Sequence, residues 1–394
     1  MSKNINVPKL RFKEFTEDWE DKLFGEIATN KSKKYNPQKD KNSYKCIELE
    51  HLSSENGSLL GYIDSLSSES IKNMFNKNNV LFGKLRPYLK KYLLASFDGV
   101  CSSEIWVLNG IEVNNSFLYY IVQGEYFINL ANQSSGSKMP RADWDNIANS
   151  IFFIPQKQEQ EKIALFLSSV DTKIEQLTKK DELLQQYKKG VMQKIFNQEI
   201  RFKADDGIEF PEWEEKRLSD IGEIITGKTP STTNNNLWNG NIEFITPTDI
   251  YDKTKYQPKT LRTVKQQNNM KVLPIGSIVY TCIASIGKMS LTTLFSITNQ
   301  QINSIIVNSL YNNEYIYYSL KYLTPYIQST QANTTLPIIN KTEFSKFKIN
   351  IPCLEEQNKI ASFLSSIDNK IEENQKILEK TKEFKKSLLQ QMFV

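Results

Sequence analysis

Ile154-Pro155-Gln156-Lys157-Gln158-Glu159-Gln160-Glu161-Lys162-Ile163-Ala164-Leu165-Phe166-Leu167-Ser168-Ser169-Val170-Asp171 returns 197 residues later. There it reads Ile351-Pro352-Cys353-Leu354-Glu355-Glu356-Gln357-Asn358-Lys359-Ile360-Ala361-Ser362-Phe363-Leu364-Ser365-Ser366-Ile367-Asp368. The match continues at the same offset to Phe196 and Phe393, with about half the positions identical. The chain is therefore two tandem copies of one unit, a globular part followed by a long helix. A protein built twice offers its partners two equivalent surfaces.

The helical copies carry a period. In the first, Ile163, Leu167, Val170, Ile174, Leu177, Leu184, Val191 and Ile195 follow steps of four and three, with Asp181 and Lys188 as polar breaks. In the second, Ile360, Leu364, Ile367, Ile371, Leu378, Leu388 and Met392 keep the rhythm, broken by Asn374, Thr381 and Lys385. A sustained 3.5-residue repeat is a coiled-coil seam. About 36 helical residues at about 1.5 Å each make a rod of roughly 54 Å. One helix cannot bury its stripe alone. Shared phase and length favour pairing of the two copies within the chain over packing on separate domains or on another chain.

The globular parts repeat more faintly. Arg11-Phe12-Lys13 returns as Arg201-Phe202-Lys203, and Trp19-Glu20-Asp21-Lys22 as Trp213-Glu214-Glu215-Lys216. The N-terminal arm thus resembles the segment after the first helix, and belongs where the second helix ends. The termini then lie together, and the chain closes into a pseudo-cyclic, pseudo-two-fold ring. Under that symmetry the helices run antiparallel, with a globular domain at each end of the rod. The predicted boundaries are a first globular domain with its arm (1–153), a central helical spacer (154–197), a second globular domain (198–350) and a C-terminal spacer (351–394).

Inside the globular parts, Val80-Leu81-Phe82, Ile105-Trp106-Val107-Leu108, Ile278-Val279-Tyr280 and Ile302–Val307 read as strands. Residues 117–130 and 315–324 read as short helices. Thr232–Gly240 and Ser134–Lys138 read as loops. The fold class is α+β: two mixed α/β domains and an intramolecular antiparallel coiled coil.

Composition is that of an ordinary globular chain, 39% hydrophobic and 24% charged. No signal peptide and no membrane-length apolar run is visible. Four scattered cysteines without a C-x-x-C read as reduced thiols of a cytoplasmic protein, with no metal site. Net charge is +5, and residues 222–350 carry 12 Lys and Arg against 6 Asp and Glu. That excess suits a polyanion.

Catalytic motifs are wanting. Gly222-Glu-Ile-Ile-Thr-Gly227-Lys228-Thr229 satisfies the P-loop pattern by letter. The charged residues before it and Pro230 and the asparagines after it deny it the strand and helix that a phosphate cradle needs. A turn at Gly227 presenting Lys228 and Thr229 is the expectation. His51 is the only histidine and has no G-x-S-x-G to serve, so it reads as a polar residue at a strand edge. The remaining chemistry is basic loops. Lys84, Arg86, Lys90 and Lys91 interleave with aromatics, and Lys138 and Arg141 flank Pro140. In the second copy Pro337 matches Pro140 after Gln331 and Asn333. Gly227, Lys228, Thr229 and Lys288 complete the candidate contacts to a nucleic acid. Lys and Arg suit phosphates, while Arg, Asn and Gln read base edges.

These repeats resemble the specificity subunits of type I restriction–modification systems. The carriers are I-P-x-x-x-E-Q-x-K-I-A-x-F-L at Ile154–Leu167 and Ile351–Leu364, the R-F and W-E-x-K segments at Arg11–Lys22 and Arg201–Lys216, and Thr226-Gly-Lys-Thr-Pro-Ser231. Leu237–Ile242 and Ile245–Ile250 join them. The first domain departs, with Tyr44-Lys-Cys-Ile-Glu-Leu-Glu50 and no G-K-T-P. The resemblance implies two target-recognition domains, each reading half of a bipartite DNA site, with the coiled coil setting the gap. It implies two methyltransferase subunits and, through them, two restriction/translocase subunits. S-adenosylmethionine, ATP and Mg are then expected on those partners and no cofactor on this chain, which would be non-catalytic. A coiled-coil protein-interaction scaffold without DNA specificity is the alternative.

Overall fold

The computed structural model describes residues 7–133, 139–251, 254–267, 270–331 and 337–394. Two helices dominate the element order, Lys157–Phe196 and Leu354–Gln391, of 40 and 38 residues. The chain divides into two compact units: residues up to Thr178 with Lys376–Val394, and Lys179–Gln375. Each unit thus holds a globular part and a segment of both long helices.

The first unit's globular part is a four-stranded sheet in the order Ala28–Thr29, Ile105–Gly110, Val80–Gly83, Tyr92–Leu94. Beside it stands a five-stranded sheet ordered Lys34–Tyr35, Lys72–Phe75, Gly99–Cys101, Lys45–Ile47, Ile63–Asp64. In the second unit the corresponding four strands are Gly222–Thr226, Ile302–Val307, Ile278–Thr281 and Met289–Leu291. Its other sheet has three strands, Thr263–Val264, Trp238–Ile245 and Ser296–Thr298. The second sheet of each unit mixes directions in the same way. Lys45–Ile47 is parallel to Gly99–Cys101 and antiparallel to Ile63–Asp64; Trp238–Ile245 is parallel to Ser296–Thr298 and antiparallel to Thr263–Val264. All four segments read as strands are strands.

Three local expectations are corrected. Residues 117–130 are two helices, Asn115–Ile121 and Glu125–Asn132, because Gly124 caps the second in an extended conformation. The asparagine-rich stretch is not wholly loop. Asn235–Leu237 is a 3-10 turn capped by Asn234, and a strand begins at Trp238, whose indole packs edge-on to Phe244. His51 lies in the 3-10 turn Leu49–His51, where its Nδ1 accepts the Glu48 N–H at 3.0 Å. It is a local cap, not a strand-edge residue. Ser134–Lys138 lies outside the described residues.

The helix stripes serve two surfaces at once. In the first unit Ile163, Leu167 and Val170 share one core with Phe117, Phe127 and Phe152 of the globular part and with Leu388 and Met392 of the second helix. In the second, Ile360, Leu364, Ile367 and Ile371 share a core with Tyr315, Phe344, Met192 and Ile195. Leu177 and Leu378 are buried, while Ile174, Leu184 and Val191 are partly exposed. The helix thus packs on its own globular domain and on its partner helix, two outcomes the sequence posed as alternatives.

The polar breaks explain themselves in this packing. In the second unit Lys188 pairs with Asp368, and Gln375 donates to Asp181, so the index falls on one helix as it rises on the other. The helices are antiparallel there. In the first unit Lys385 lies 2.7 Å from Asp171. Each aspartate also accepts a buried tyrosine hydroxyl, Tyr318 on Asp368 and Tyr120 on Asp171. Burial, then the neighbouring carboxylate, raises both tyrosine pKa values, so the phenols stay neutral donors.

Candidate nucleic-acid interface

The interface begins with the joint that carries it. Glu159 sits in the first turn of the first long helix and is 1% exposed. Arg11 from the arm meets it through two bonds, Nε to Oε1 at 2.7 Å and Nη2 to Oε2 at 2.8 Å, and the Trp19 indole donates to Oε2 at 3.2 Å. The second unit repeats this with other residues. Arg201 meets Glu356 at 3.3 and 2.9 Å, and Trp213 donates at 3.0 Å. Planar guanidinium against planar carboxylate gives the geometry its specificity. The hydrogen bond to the glutamate raises both arginine pKa values above the ordinary value.

The glutamine of the signature closes the other side. Gln160 donates to the Pro155 carbonyl at 2.9 Å and accepts the backbone N–H of Asn114, which caps the helix Asn115–Ile121. Gln357 does the same with Pro352 and Asn312, the cap of Asn313–Ser329. Glu-Gln therefore ties arm, long helix and globular domain at one point. The arms also meet the helix ends. Leu10 N–H donates to the Gln391 carbonyl at the end of one helix, as Ile200 N–H does to Lys194 at the end of the other.

Two of the candidate cations of the first unit, Lys84 and Arg86, come together with Arg141. Leu85 and Arg141 form a β-bridge, and Arg86 N–H donates to the Pro140 carbonyl. Arg86 is exposed and held at a φ of 53°. Lys84 is half-buried. The others have partners: Lys90 with Glu55 at 3.4 Å, Lys91 with the Leu49 carbonyl at 2.6 Å, and Arg141 with Glu104 at 3.1 Å. Lys138 lies outside the described residues.

The second unit builds the same loop around different side chains. Ala284 N–H donates to the Pro337 carbonyl, at a φ of 61°, so Pro140 and Pro337 occupy equivalent places and Ala284 stands where Arg86 does. Ile283 bridges Ile338 as Leu85 bridges Arg141. Lys288 precedes Met289–Leu291 as Lys91 precedes Tyr92–Leu94, and it is half-buried. Gln331 follows the helix Asn313–Ser329, near where Gln328 donates to the Ile286 carbonyl. Asn333 lies outside the described residues.

Gly227 is not a turn. Gly222–Thr226 is the strand beside Ile302–Val307, and Gly227 continues it, donating its N–H to Ile302. Glycine is required there by proximity, since a Cβ would stand 2.2 Å from the Asn299 carbonyl oxygen. Thr229 donates to Gln300 at 2.8 Å, and Lys228 is exposed on the rim of a cleft of ≈ 560 Å³ shared with Thr226, Gln267, Lys271 and Thr298. No α-helix follows within the next ten residues, only the 3-10 turn Asn235–Leu237, so the P-loop letters build no phosphate cradle.

Sequence reasoning missed the joint and the pairs. Glu159, Gln160 and Asp171 were visible only as repeated letters, and repetition does not say which residue a side chain will meet. It also missed Trp238 and Arg262, whose guanidinium lies over the indole at 5.4 Å.

Two like sheets, each buckled to a long helix by the same Arg–Glu–Trp joint, define in class a tandemly duplicated α+β protein. Residues 16–185 and 211–383 match the family model described as the type I restriction modification DNA specificity domain. The chain belongs to that family, carrying the domain twice. It is a recognition subunit of the type I restriction–modification class, not a catalytic one, and acts with DNA and the restriction–modification complex. A DNA-indifferent scaffold is not favoured.

Among curated relatives, the type I restriction enzyme HindI specificity subunit of Haemophilus influenzae is 26% identical over 90% of this chain and 95% of its own length. The putative type I restriction enzyme MjaX specificity subunit of Methanocaldococcus jannaschii is 25% identical over 98% and 95%. Among solved structures, the type I restriction–modification S subunit from M. genitalium superposes with a TM-score of 0.61 at 17% identity, covering 98% of this chain and 99% of that one. A chain from a solved type I restriction–modification complex gives 0.58 at 19%, covering 94% and 95%. Both share the fold. Among the described residues no helix is long and apolar enough to cross a membrane.

Proposed function

We propose that each unit reads one half of a bipartite duplex site. Residues 1–153 and 198–350 are the readers, and the helical spacers 154–197 and 351–394 hold them a fixed distance apart. The observation that carries this is the duplicated Arg–Glu–Trp joint. It makes each reader rigid with its helix end, and a reader loose on its helix could not set a gap. Phosphate contacts from Arg86, Lys228 and Lys288 supply salt-sensitive affinity, and loop side chains choose the bases. Two equivalent helix surfaces recruit two methyltransferase subunits, and through them two restriction/translocase subunits. S-adenosylmethionine, ATP and Mg belong to those partners, and the complex works in the cytoplasm.

The test is exchange of residues 28–150 for those of another family member, followed by sequencing of modified bases in the host genome. One half of the motif changes and the other half and the gap stay. Change in both halves refutes independent readers. A heptad added to both helices lengthens the gap alone; altered half-sites with an unaltered gap refute the spacer role.

A further inference from the structure

Leu261 is 99% exposed. A lone exposed leucine is ordinary; this one is set apart by how firmly it is held. Before it, Thr260 donates its N–H to the Glu243 carboxylate at 2.6 Å, and its hydroxyl lies 2.6 Å from the same oxygen. After it, Arg262 lays its guanidinium over the rings of Trp238 and Phe244, 5.4 and 5.0 Å from their centroids, and its carbonyl accepts the Phe244 N–H. The backbone is pinned on both sides of a side chain left in the open.

The other unit displays an apolar residue at the same place. Cys46 pairs with Val100 as Phe244 pairs with Ile297, and Lys45 opposes Asp64 as Glu243 opposes Thr263. Two residues before Thr263 is Leu261; two before Asp64 is Tyr62. Tyr62 is 50% exposed, with Lys45 4.8 Å over its ring and Phe97 edge-on at 6.0 Å.

The surroundings of Leu261 say what it meets. Lys259, Arg262 and Lys265 are exposed within four residues of it. Through Trp238, whose indole donates to the Ser231 carbonyl at 3.0 Å, the hairpin joins the loop that bears Lys228. An apolar point ringed by cations matches a duplex, in which phosphates flank an apolar stack of bases. Apolar side chains inserted at a base step unstack it at a cost of a few kcal/mol, recovered by contacts that the distorted duplex permits.

We propose that Leu261, and Tyr62 in the first unit, are wedges that enter the duplex at a base step beside each half-site. This rests on the reading of both units as DNA readers. Steps that unstack readily, such as TA and CA, are then favoured at that position without any hydrogen bond to them. Leu261 is the stronger wedge, because Tyr62 already leans on Lys45 and Phe97.

The test uses the full chain assembled with its methyltransferase subunits and a duplex bearing the motif found in the host methylome, with 2-aminopurine placed in turn at steps in and beside each half-site. With the parent, fluorescence rises at one step per half-site. Leu261→Ser loses the rise beside one half-site and weakens binding about tenfold, while the slope of affinity against salt is unchanged because no phosphate contact is lost. Leu261→Met keeps both, and Tyr62→Ser acts on the other half-site alone. A parent that binds while Leu261→Ser is indistinguishable from it overturns the wedge and leaves DNA reading standing. A parent that does not select the duplex overturns both.

Discussion

Glu159 and Glu356 hold an arginine and a tryptophan each; Lys91 and Lys288 occupy one sheet position and do different things. Lys91 satisfies the Leu49 carbonyl, whereas Lys288 makes no such bond among the described residues. The same split runs through the molecule. The joints, with their Glu-Gln pairs and Asp–Lys–Tyr clusters, are the same in both units. The loops and the second sheets differ side chain by side chain: Arg86 against Ala284, Tyr62 against Leu261, Lys45 against Glu243. A joint fixes a globular part to its helices, a task common to both units. A reader must differ if the two halves of a site are to differ.

Four experiments probe this contrast. Glu159→Ala and Glu356→Ala leave a half-buried arginine and an indole N–H without their acceptor, and each costs about 3 kcal/mol. Hydrogen exchange is expected to show lost protection confined to the unit that holds the change. An effect shared equally by both units would mean that the joint is not local. Next, Asp368→Ala leaves Lys188 buried and unpaired, at about 3 kcal/mol, whereas Lys188→Met with Asp368→Leu recovers most of that loss. The copy at Asp171 and Lys385 is expected to match it. Denaturant unfolding followed separately in each unit reads both pairs, and unequal costs would end the equivalence of the joints.

On the reader side, Gly227→Ala forces a Cβ against Asn299 and costs about 1–3 kcal/mol. Methylation at the half-site read by the second unit is expected to fall with it. If both half-sites fade equally, the loss is global. Finally, Lys91→Ala costs about 1 kcal/mol through an unmet carbonyl, whereas Lys288→Ala changes stability by less than about 0.5 kcal/mol and lowers the salt slope of DNA binding by about 1. Equal salt slopes for the two variants would place Lys288 off the duplex.

The thiols give a gentler check on the described packing. Burial pushes Cys46 and Cys282 up to about 11, so at pH 8 roughly one molecule in a thousand carries either thiolate. Half-buried Cys353 is therefore expected to take iodoacetamide first in the native protein. Faster labelling of Cys46 would contradict the buried sheet around it.

The duplication, the helix period, the positions of the polar breaks and the pairing of Pro140 with Pro337 were all legible in the order of residues. Helical periodicity is a local consequence of 3.6 residues per turn, and a repeat is a fact about letters. The partners of those residues were not legible. Arg11 and Glu159 stand 148 positions apart, and Lys188 and Asp368 stand 180 apart. Which cations are spent on a carbonyl or carboxylate, why Gly227 is a glycine, and that Tyr62 and Leu261 share one place were decided only by folding. Hydrogen bonds and ion pairs reach no further than about 3–4 Å, and only the folded chain says which groups come that close.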